Sequence, residues 1–169
     1  MIVELKDNKN INKVGNKAKF LIEMKRQGFN VPNGIVIDSD TYKEEIDNNK
    51  ISSKITKYLK EINDKNIETI SKKIIKLFDS FKFSKEVEQK IKEKLSKKKL
   101  YAVRSSGTKE DLEEYSFAGQ YKTFLNVDYN NVLDKVVNCY KSMFSEIILS
   151  YFYILLDQVL HNYLLNSLN

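Results

Sequence analysis

The sequence is poor in the residues that form covalent or metal-linked frameworks. It contains a single cysteine, Cys139, and a single histidine, His161. One cysteine excludes an internal disulfide, a cysteine-based zinc cluster and a CxxC redox pair, and no His–Glu metal signature is present. His161 lies in an apolar tail without the nearby carboxylate and hydroxyl that a catalytic triad requires, so we interpret it as structural. These scarcities predict no protein-only metal site and favour a reducing, cytoplasmic environment.

Long uninterrupted apolar segments are also missing. Residues 1–7 carry charges where a signal peptide would have its apolar core, so we expect no export signal. The tail at 147–168 is apolar, but Asp157 and His161 within it would be costly at the centre of a bilayer. We therefore expect no membrane span, and we interpret the tail as a helix that docks on a partner or self-associates.

The charge of the chain is positive but dispersed. The 169 residues carry a formal net charge of +6, and a composition that is 41% hydrophobic and 31% charged fits one globular unit with a sizeable core. Between Tyr42 and Lys99 the lysines alternate with acidic residues, which is typical of solvated helix faces; only Lys97–Lys99 is a compact basic run. No aromatic-basic motif accompanies the charge, so we do not expect a nucleic-acid partner.

The first forty residues predict a helix, a turn and a strand. Apolar residues recur at helical spacing over Lys13–Gln27, and Gly28 follows where a left-handed helix stop is expected. The only proline, Pro32, lies in a turn before the β-branched strand Ile35–Ile37. The Asp38–Asp40 segment offers N-caps for the next helix.

The rest of the chain predicts a helical middle and a two-stranded sheet. Helical apolar stripes run through 51–99, with Ser84 as an N-cap. Strands are predicted at Leu100–Arg104 and Tyr121–Val127, paired in one sheet and joined by a loop that extends to about Gln120. A long helix capped by Asp128 or Asn130 is expected next, with the apolar stripe Leu133, Val136, Val137, Tyr140, Met143, Phe144 and Ile147. The fold class is therefore α+β, with a small mixed or antiparallel sheet and several helices.

The most informative segment begins at the end of the first of these two strands. An apolar run ends in Arg104 and opens into a loop rich in hydroxyl groups and glycine, an arrangement that presents donors to phosphate oxygens. Arg104 has the planar guanidinium that makes bidentate phosphate contacts. Its alternative interpretation is an ion pair with Glu110, Asp111 or Glu113.

Three further residues are candidates for an anion site. Lys17 follows Gly15 near a helix start and can extend toward a phosphate, although this pattern is more often that of a solvated lysine. The spacing of a Walker A loop is absent. Gly119 and Thr123 flank the entry to the second strand, where a glycine amide and a threonine hydroxyl can donate to phosphate; a tight turn and an ordinary strand residue are their alternatives.

Three motifs in order resemble the N-terminal ATP-binding domain of the phosphoenolpyruvate synthase, pyruvate phosphate dikinase and rifampicin phosphotransferase family. Val14-Gly15-Asn16-Lys17-Ala18 is similar to the family's Gly-Gly-Lys segment, and the segment 28–34 to its Gly-x-x-Val-Pro-x-Gly segment. The third motif, 102–127, is the most specific, and the resemblance covers roughly Lys13–Tyr151. Asn16 and Gly107 depart from the usual glycine and alanine.

The resemblance implies a fold, a site and a cofactor. The fold would be the first lobe of an ATP-grasp-like domain, with ATP and Mg²⁺ as cofactors and a histidine on a separate swivelling domain as phosphoryl acceptor. Carried over by matched position, Lys17 and Arg104 would bind ATP phosphates, and Gly119 and Thr123 would lie in the nucleotide-contacting loop and strand. Arg104 would also be catalytic, through charge neutralisation.

The resemblance also implies that this sequence is incomplete for turnover. The family's second ATP-binding lobe is expected after Tyr151, whereas this sequence stops at Asn169. We therefore expect a truncated or split phosphotransferase, with residues 1–151 as the first lobe and 152–169 as an apolar, helical tail. A second chain or lobe would complete the ATP site. The alternative is a non-catalytic binding or regulatory module that keeps the fold and self-associates or docks through its tail.

Overall fold

The chain is built from helices and short antiparallel strands. The computed structural model describes residues 1–6, 11–106, 111–112, 115–116 and 122–155. The strands are β1 (Ile2–Glu4), β2 (Ile35–Ile37), β3 (Tyr101–Arg104), β4 (Asp111–Leu112), β5 (Tyr115–Ser116) and β6 (Thr123–Val127). The helices are α1 (Asn16–Arg26), α2 (Ser39–Asn48), α3 (Ser52–Lys60), α4 (Ile67–Leu77), α5 (Lys85–Glu93) and α6 (Val132–Ser142). Residues 146–155 are also helical.

The described strands form three two-stranded antiparallel sheets: β1 with β2, β3 with β6 and β4 with β5. The α+β class is therefore confirmed, as is the pairing of the two strands that were predicted around residues 100 and 125. The β4–β5 hairpin falls inside the segment that was predicted to be loop, so that prediction is wrong in part. Two-residue strands are too short to show an alternating pattern in the sequence.

The end of α1 follows the prediction closely. Gly28 adopts a φ of 87°, and the Phe29 amide donates to the Met24 carbonyl at 3.0 Å. This is the Schellman arrangement, in which a left-handed residue allows the chain to satisfy the last carbonyls of a helix. Asp38, as predicted, caps the following helix by accepting from the Thr41 amide at 2.9 Å.

Helices α3 and α4 pack with α2 and α6 around the largest hydrophobic cluster. Its buried members are Ile46, Ile51, Ile55, Ile70, Ile74, Phe78, Phe81, Tyr140 and Leu149. The predicted cap of α5 is confirmed, because the Ser84 hydroxyl accepts from the Val87 amide at 3.3 Å. Two smaller clusters lie outside this core, one between α1 and β1 and the other between β3, β6 and α6.

The long helix predicted after Asp128 is broken. It ends at Ser142, and the amides of residues 143–145 donate to carbonyls three residues earlier, which tightens the chain into a turn. The turn brings Phe144 to 5.8 Å from the Phe78 ring. As a result Ile148 is buried, whereas Ile147, the last residue of the predicted stripe, is 64% exposed, so the prediction is wrong for this residue.

The apolar tail lies mostly outside the described residues. Residues 152–155 continue the helix that begins at 146, and 156–169, which include His161, are not described. The division of the chain at residues 151 and 152 stays a prediction. Of the helices that the structure describes, none combines the length and the apolar character needed to cross a membrane.

Candidate nucleotide site

The first part of the candidate site is the start of α1. Gly15 precedes the helix with extended backbone angles and has no side chain to cap it. Val14 and Ala18 are buried against β1, so their packing fixes the direction of the first turn. Lys17, the second residue of the helix, is half-buried. The arrangement places a lysine beside a helix N-terminus, where the helix dipole favours an anion.

The second part is the outer face of the β3–β6 sheet. Arg104, the last residue of β3, lies directly opposite Thr123, the first residue of β6. Both residues are exposed, whereas Val103 and Val127 point into the cluster under the sheet. Arg104 and Thr123 therefore present a guanidinium and a hydroxyl side by side on one open surface, a donor pair suited to phosphate.

A β-bulge sets this register. Tyr101 pairs with Val127, but Val103 pairs with Phe124, so two steps along β3 correspond to three along β6. Within the extra step, Asn126 has a φ of 55°, a left-handed conformation that asparagine tolerates better than most residues. Without the bulge, Arg104 would lie opposite Phe124, and Thr123 would turn toward the core. The bulge therefore exposes the threonine next to the arginine.

One hydrogen bond joins the two parts. The Ala18 amide donates to the Ser106 hydroxyl oxygen at 3.0 Å, across 88 residues of sequence. Ala18 directly follows Lys17, and Ser106 lies two residues beyond Arg104. The structure therefore brings the α1 start to the end of the β3–β6 sheet that carries Arg104 and Thr123.

Three of the four predicted site residues thus lie close in sequence or strand pairing to the residues of the Ala18–Ser106 hydrogen bond. These three are Lys17, Arg104 and Thr123, and Gly119 lies outside the described residues. The carboxylates considered as partners of Arg104 belong to 110–113, whose side chains are also outside the description. Ser106 and Asn126 were missed as contributors to the site. A second hydroxyl in the loop after Arg104 was the signal for Ser106, and asparagine at a strand position was the signal for Asn126.

The second motif, at 28–34, supports α1 and contributes no reactive group. Lys25 donates from its ammonium to the Val31 carbonyl at 3.1 Å and to the Asn33 side-chain oxygen at 2.8 Å. Gly34 accepts from the Leu5 amide at 3.0 Å, and a Cβ at this glycine would lie 2.8 Å from the Leu5 side chain. The motif therefore ties the end of α1 to the β1–β2 sheet.

An open concavity lies beside the arginine–threonine pair. It has a volume of about 410 Å³ and is lined by β6 from Thr123 onward, together with Asp128, Asn131 and Lys135. The Lys135 ammonium lies 5.5 Å from the centre of the Phe124 ring. A larger concavity of about 530 Å³, between α5 and Tyr129, contains none of the predicted site residues.

Two ionisable groups near this concavity, Asp128 and Cys139, have structural roles. A hydrogen bond from the Asn131 side chain, followed by backbone amide bonds, lowers the pKa of Asp128, which caps the turn before α6. Burial raises the pKa of the Cys139 thiol to about 11, so this cysteine is a thiol and not a nucleophile at neutral pH. Among the described residues, no three His, Cys, Asp or Glu side chains form a group able to hold a metal ion.

Comparison with known proteins identifies the family of this chain. Residues 11–155 match the family model described as pyruvate phosphate dikinase, AMP/ATP-binding domain. A probable phosphoenolpyruvate synthase of Archaeoglobus fulgidus is 35% identical over 82% of this chain and 20% of its own length. The phosphoenolpyruvate synthase of Escherichia coli is 30% identical over 83% of this chain and 20% of its own length.

A rifampicin phosphotransferase of Bacillus subtilis is also similar, with 32% identity over 79% of this chain and 16% of its own length. The chain thus spans about a fifth of the length of the curated relatives it matches. The resemblance that the three sequence motifs carry is confirmed. The chain belongs to the pyruvate phosphate dikinase AMP/ATP-binding domain family.

Proposed function

We propose that this chain is the first lobe of an ATP site in which Lys17 and Arg104 bind the ATP phosphates. The observation that supports the proposal most strongly is the convergence of two motifs that are far apart in sequence. The Ala18–Ser106 hydrogen bond brings the start of α1 to the end of β3, and β3 pairs Arg104 with Thr123. One polyanion is then bound by two cationic side chains, a hydroxyl group and a helix N-terminus.

The proposed chemistry is positioning and charge neutralisation. The Arg104 guanidinium provides a rigid fork for phosphate oxygens, and Lys17 provides a compact charge that the α1 dipole reinforces. Thr123 donates from its hydroxyl, and Gly119 permits a close approach of backbone to the nucleotide. Phosphoryl transfer needs little covalent chemistry from the protein, so holding the phosphates in line is the contribution that these residues make. Arg104 is the catalytic residue of the proposal because it neutralises charge on the transferring group.

The remaining groups of the reaction come from other parts of the complete enzyme in this proposal. A second lobe closes over ATP, and a histidine of another domain accepts the phosphoryl group. In this proposal Mg²⁺ would be bound by the ATP phosphates and by residues of the second lobe, and it would supply charge neutralisation. The phosphoenolpyruvate synthases and the rifampicin phosphotransferase among the relatives point to a phosphotransferase.

Isothermal titration with a non-hydrolysable ATP analogue and magnesium tests the assignment. We expect saturable binding by the wild-type chain, and an affinity at least tenfold lower for Lys17→Ala and for Arg104→Ala, because each loses a charge-assisted phosphate contact. Arg26→Ala is the matched control, since Arg26 lies at the opposite end of α1, where it pairs with Glu23 at 3.0 Å. Lys54→Ala, which removes a lysine from the exposed face of α3, is the corresponding control for Lys17→Ala.

Two results would contradict the assignment. A folded wild-type chain that gives no binding heat would show that these residues do not form a nucleotide site in this lobe. Binding that is weakened equally by Arg26→Ala and Arg104→Ala would show that affinity follows net charge and not the proposed contacts.

A second candidate function is a self-associating module, which exposed apolar residues favour. Ile147 and Ile154, seven residues apart in the helix at 146–155, are 64% and 52% exposed and share one helix face. In this candidate a second copy of the chain covers that face. Light scattering after gel filtration would show a dimer that the double variant Ile147→Lys, Ile154→Lys converts to a monomer. Leu100→Lys, which alters an exposed apolar residue elsewhere, should leave the dimer intact. A monomeric wild type would eliminate this candidate.

A further inference from the structure

The contact between Ser106 and Ala18 caps a helix that its own sequence leaves uncapped. Ala18 is the third residue of α1. Its amide is therefore among the first four N–H groups of the helix, for which the helix itself provides no carbonyl acceptor. An N-cap side chain usually accepts from this position, but the N-cap here is Gly15. Ser106 replaces it from 88 residues away, at 3.0 Å. Because Ala18 is only 4% exposed, water has little access to its amide if the serine oxygen is removed.

The same contact links two parts of the protein that pack separately. Ala18 belongs to the hydrophobic cluster of Val3, Val14 and Ile22, which α1 forms with β1. Arg104 is on the strand whose Val103 belongs to another cluster, shared with β6 and α6. The two clusters share no residue. A hydrogen bond between them therefore restrains the relative position of α1 and β3 in a way that the packing of each cluster does not.

We propose that Ser106 is a positioning residue that sets the distance between Lys17 and Arg104. Lys17 and Ala18 are consecutive in α1, and Arg104 and Ser106 are separated by one residue, so a bond between Ala18 and Ser106 fixes both cations relative to each other. Two cations held at a defined spacing bind a polyphosphate better than two that move independently. Their relative position is already fixed before binding, so the entropy cost of ordering them does not reduce the affinity. The inference rests on the proposed function for its consequence, but the restraint itself is independent of any ligand.

The restraint is tested first without nucleotide. In a Cys139→Ala background, spin labels replace the exposed Phe20 on α1 and Leu125 on β6, and pulsed electron paramagnetic resonance measures the distance distribution between them. We expect a narrow distribution in the parent protein, a broader one in Ser106→Ala, and recovery in Ser106→Thr, which keeps the accepting oxygen. A distribution that Ser106→Ala leaves unchanged would overturn the proposal.

The consequence for binding is tested by a double-mutant cycle with the ATP analogue. Ser106→Ala is expected to weaken binding about three- to tenfold, the range that loss of one hydrogen bond produces. If Ser106 acts through the position of Lys17, the same change in a Lys17→Ala background should have less than half of that effect. Fully additive effects would show that Ser106 does not act through Lys17 and would overturn the proposal.

Ser71→Ala is the matched structural control. Ser71 also makes a long-range bond, donating to the Phe144 carbonyl at 2.7 Å between α4 and the turn after α6. Its loss should lower stability and leave the label distances and the affinity unchanged. A wild type that binds no nucleotide would remove the proposed function, and the label distances would then decide on the restraint alone.

Discussion

Gly28 and Lys50 occupy the same position in two helix ends of identical hydrogen-bond pattern. Gly28 follows α1 with a φ of 87°, and Lys50 follows α2 with a φ of 55°. The Lys50 amide donates to the Asp47 carbonyl at 2.9 Å, and the Ile51 amide to the Ile46 carbonyl at 3.3 Å, as the Gly28 and Phe29 amides do in α1. A left-handed conformation costs a lysine about 1–2 kcal/mol, whereas glycine adopts it without this cost.

Lys50→Gly should therefore stabilise the protein. We expect the free energy of unfolding to rise by about 1 kcal/mol, since relief of the left-handed strain outweighs the greater flexibility of glycine in the unfolded chain. Urea denaturation followed by circular dichroism measures the change. Gly28→Ala is the control and should destabilise by about 1 kcal/mol, because a Cβ there meets no atom within 4 Å and conformation alone sets the cost. A Lys50→Gly variant that is less stable than wild type would contradict the argument.

A second prediction concerns acid stability at β1. Lys94 lies 2.5 Å from Glu4, and Lys6 lies 2.9 Å from its other carboxylate oxygen. Hydrogen bonds from Lys94 and then Lys6 lower the pKa of Glu4 from 4.5 to about 2. A folded-state pKa below the unfolded one stabilises the fold above pH 4.5, and this contribution is lost as the pH falls toward 2. Glu4→Gln should thus be less stable than wild type at pH 7 and approach it below pH 4.

The measurement is the urea midpoint of both proteins at several pH values between 7 and 3. Lys94→Met should reproduce the loss at neutral pH, because it removes the donor that contributes most to the shift. Glu86→Gln serves as a comparison, since Glu86 pairs with Lys90 within α5 alone and ties no second element to the helix. A difference between Glu4→Gln and wild type that stays constant with pH would exclude the carboxylate as its cause.

A third prediction concerns the Tyr140 hydroxyl in the main core. This oxygen has no hydrogen-bond partner among the described residues, and the Tyr140 ring packs 4.7 Å from the Tyr42 ring. A buried polar atom without a partner loses its hydration and gains nothing in return. Tyr140→Phe should therefore be neutral or raise the free energy of unfolding by up to about 1 kcal/mol. Tyr140→Ala should cost about 3–5 kcal/mol through the cavity it leaves. A Tyr140→Phe variant destabilised by more than 1 kcal/mol would show that the hydroxyl is hydrogen-bonded.

The sequence predicted what depends on local pattern. The stop at Gly28 and the cap at Ser84 follow from the residue types that these positions require, and both are present. The break after Ser142 was not predicted, because the apolar spacing continues through Phe144 and gives no signal of a turn. Whether Ile147 or Ile148 is buried depends on that turn.

The site shows the same division between local and distant causes. An arginine at the end of a strand predicted an anion-binding edge, and the pairing of that strand with the second strand was predictable. The partner of Ser106 was not, because Ala18 is 88 residues away and no sequence pattern relates the two. The bulge at Asn126 lies in a strand of five residues, too short for a shift in alternation to be visible.

A last prediction links that bulge to the proposed nucleotide site. Asn126 has a φ of 55° within the extra step of β6, and the bulge makes Thr123 rather than Phe124 the partner of Arg104. Asn126→Val places a β-branched residue in a left-handed conformation, which strongly disfavours the bulge. We expect the free energy of unfolding to fall by about 1–3 kcal/mol and the affinity for an ATP analogue to fall with it. Loss of the bulge would turn the Thr123 hydroxyl away from the arginine.

Asn126→Gly separates the role of the backbone from that of the side chain. Glycine accepts the left-handed conformation, so this variant should keep the register, bind the analogue as wild type does and be as stable or slightly more stable. Leu125→Thr is the matched control, because it alters the neighbouring exposed residue without a demand on φ. Titration of the three variants with the analogue, beside their urea midpoints, provides the test. If Asn126→Gly bound as weakly as Asn126→Val, the asparagine side chain and not the bulge would be responsible, and the link between register and binding would be wrong.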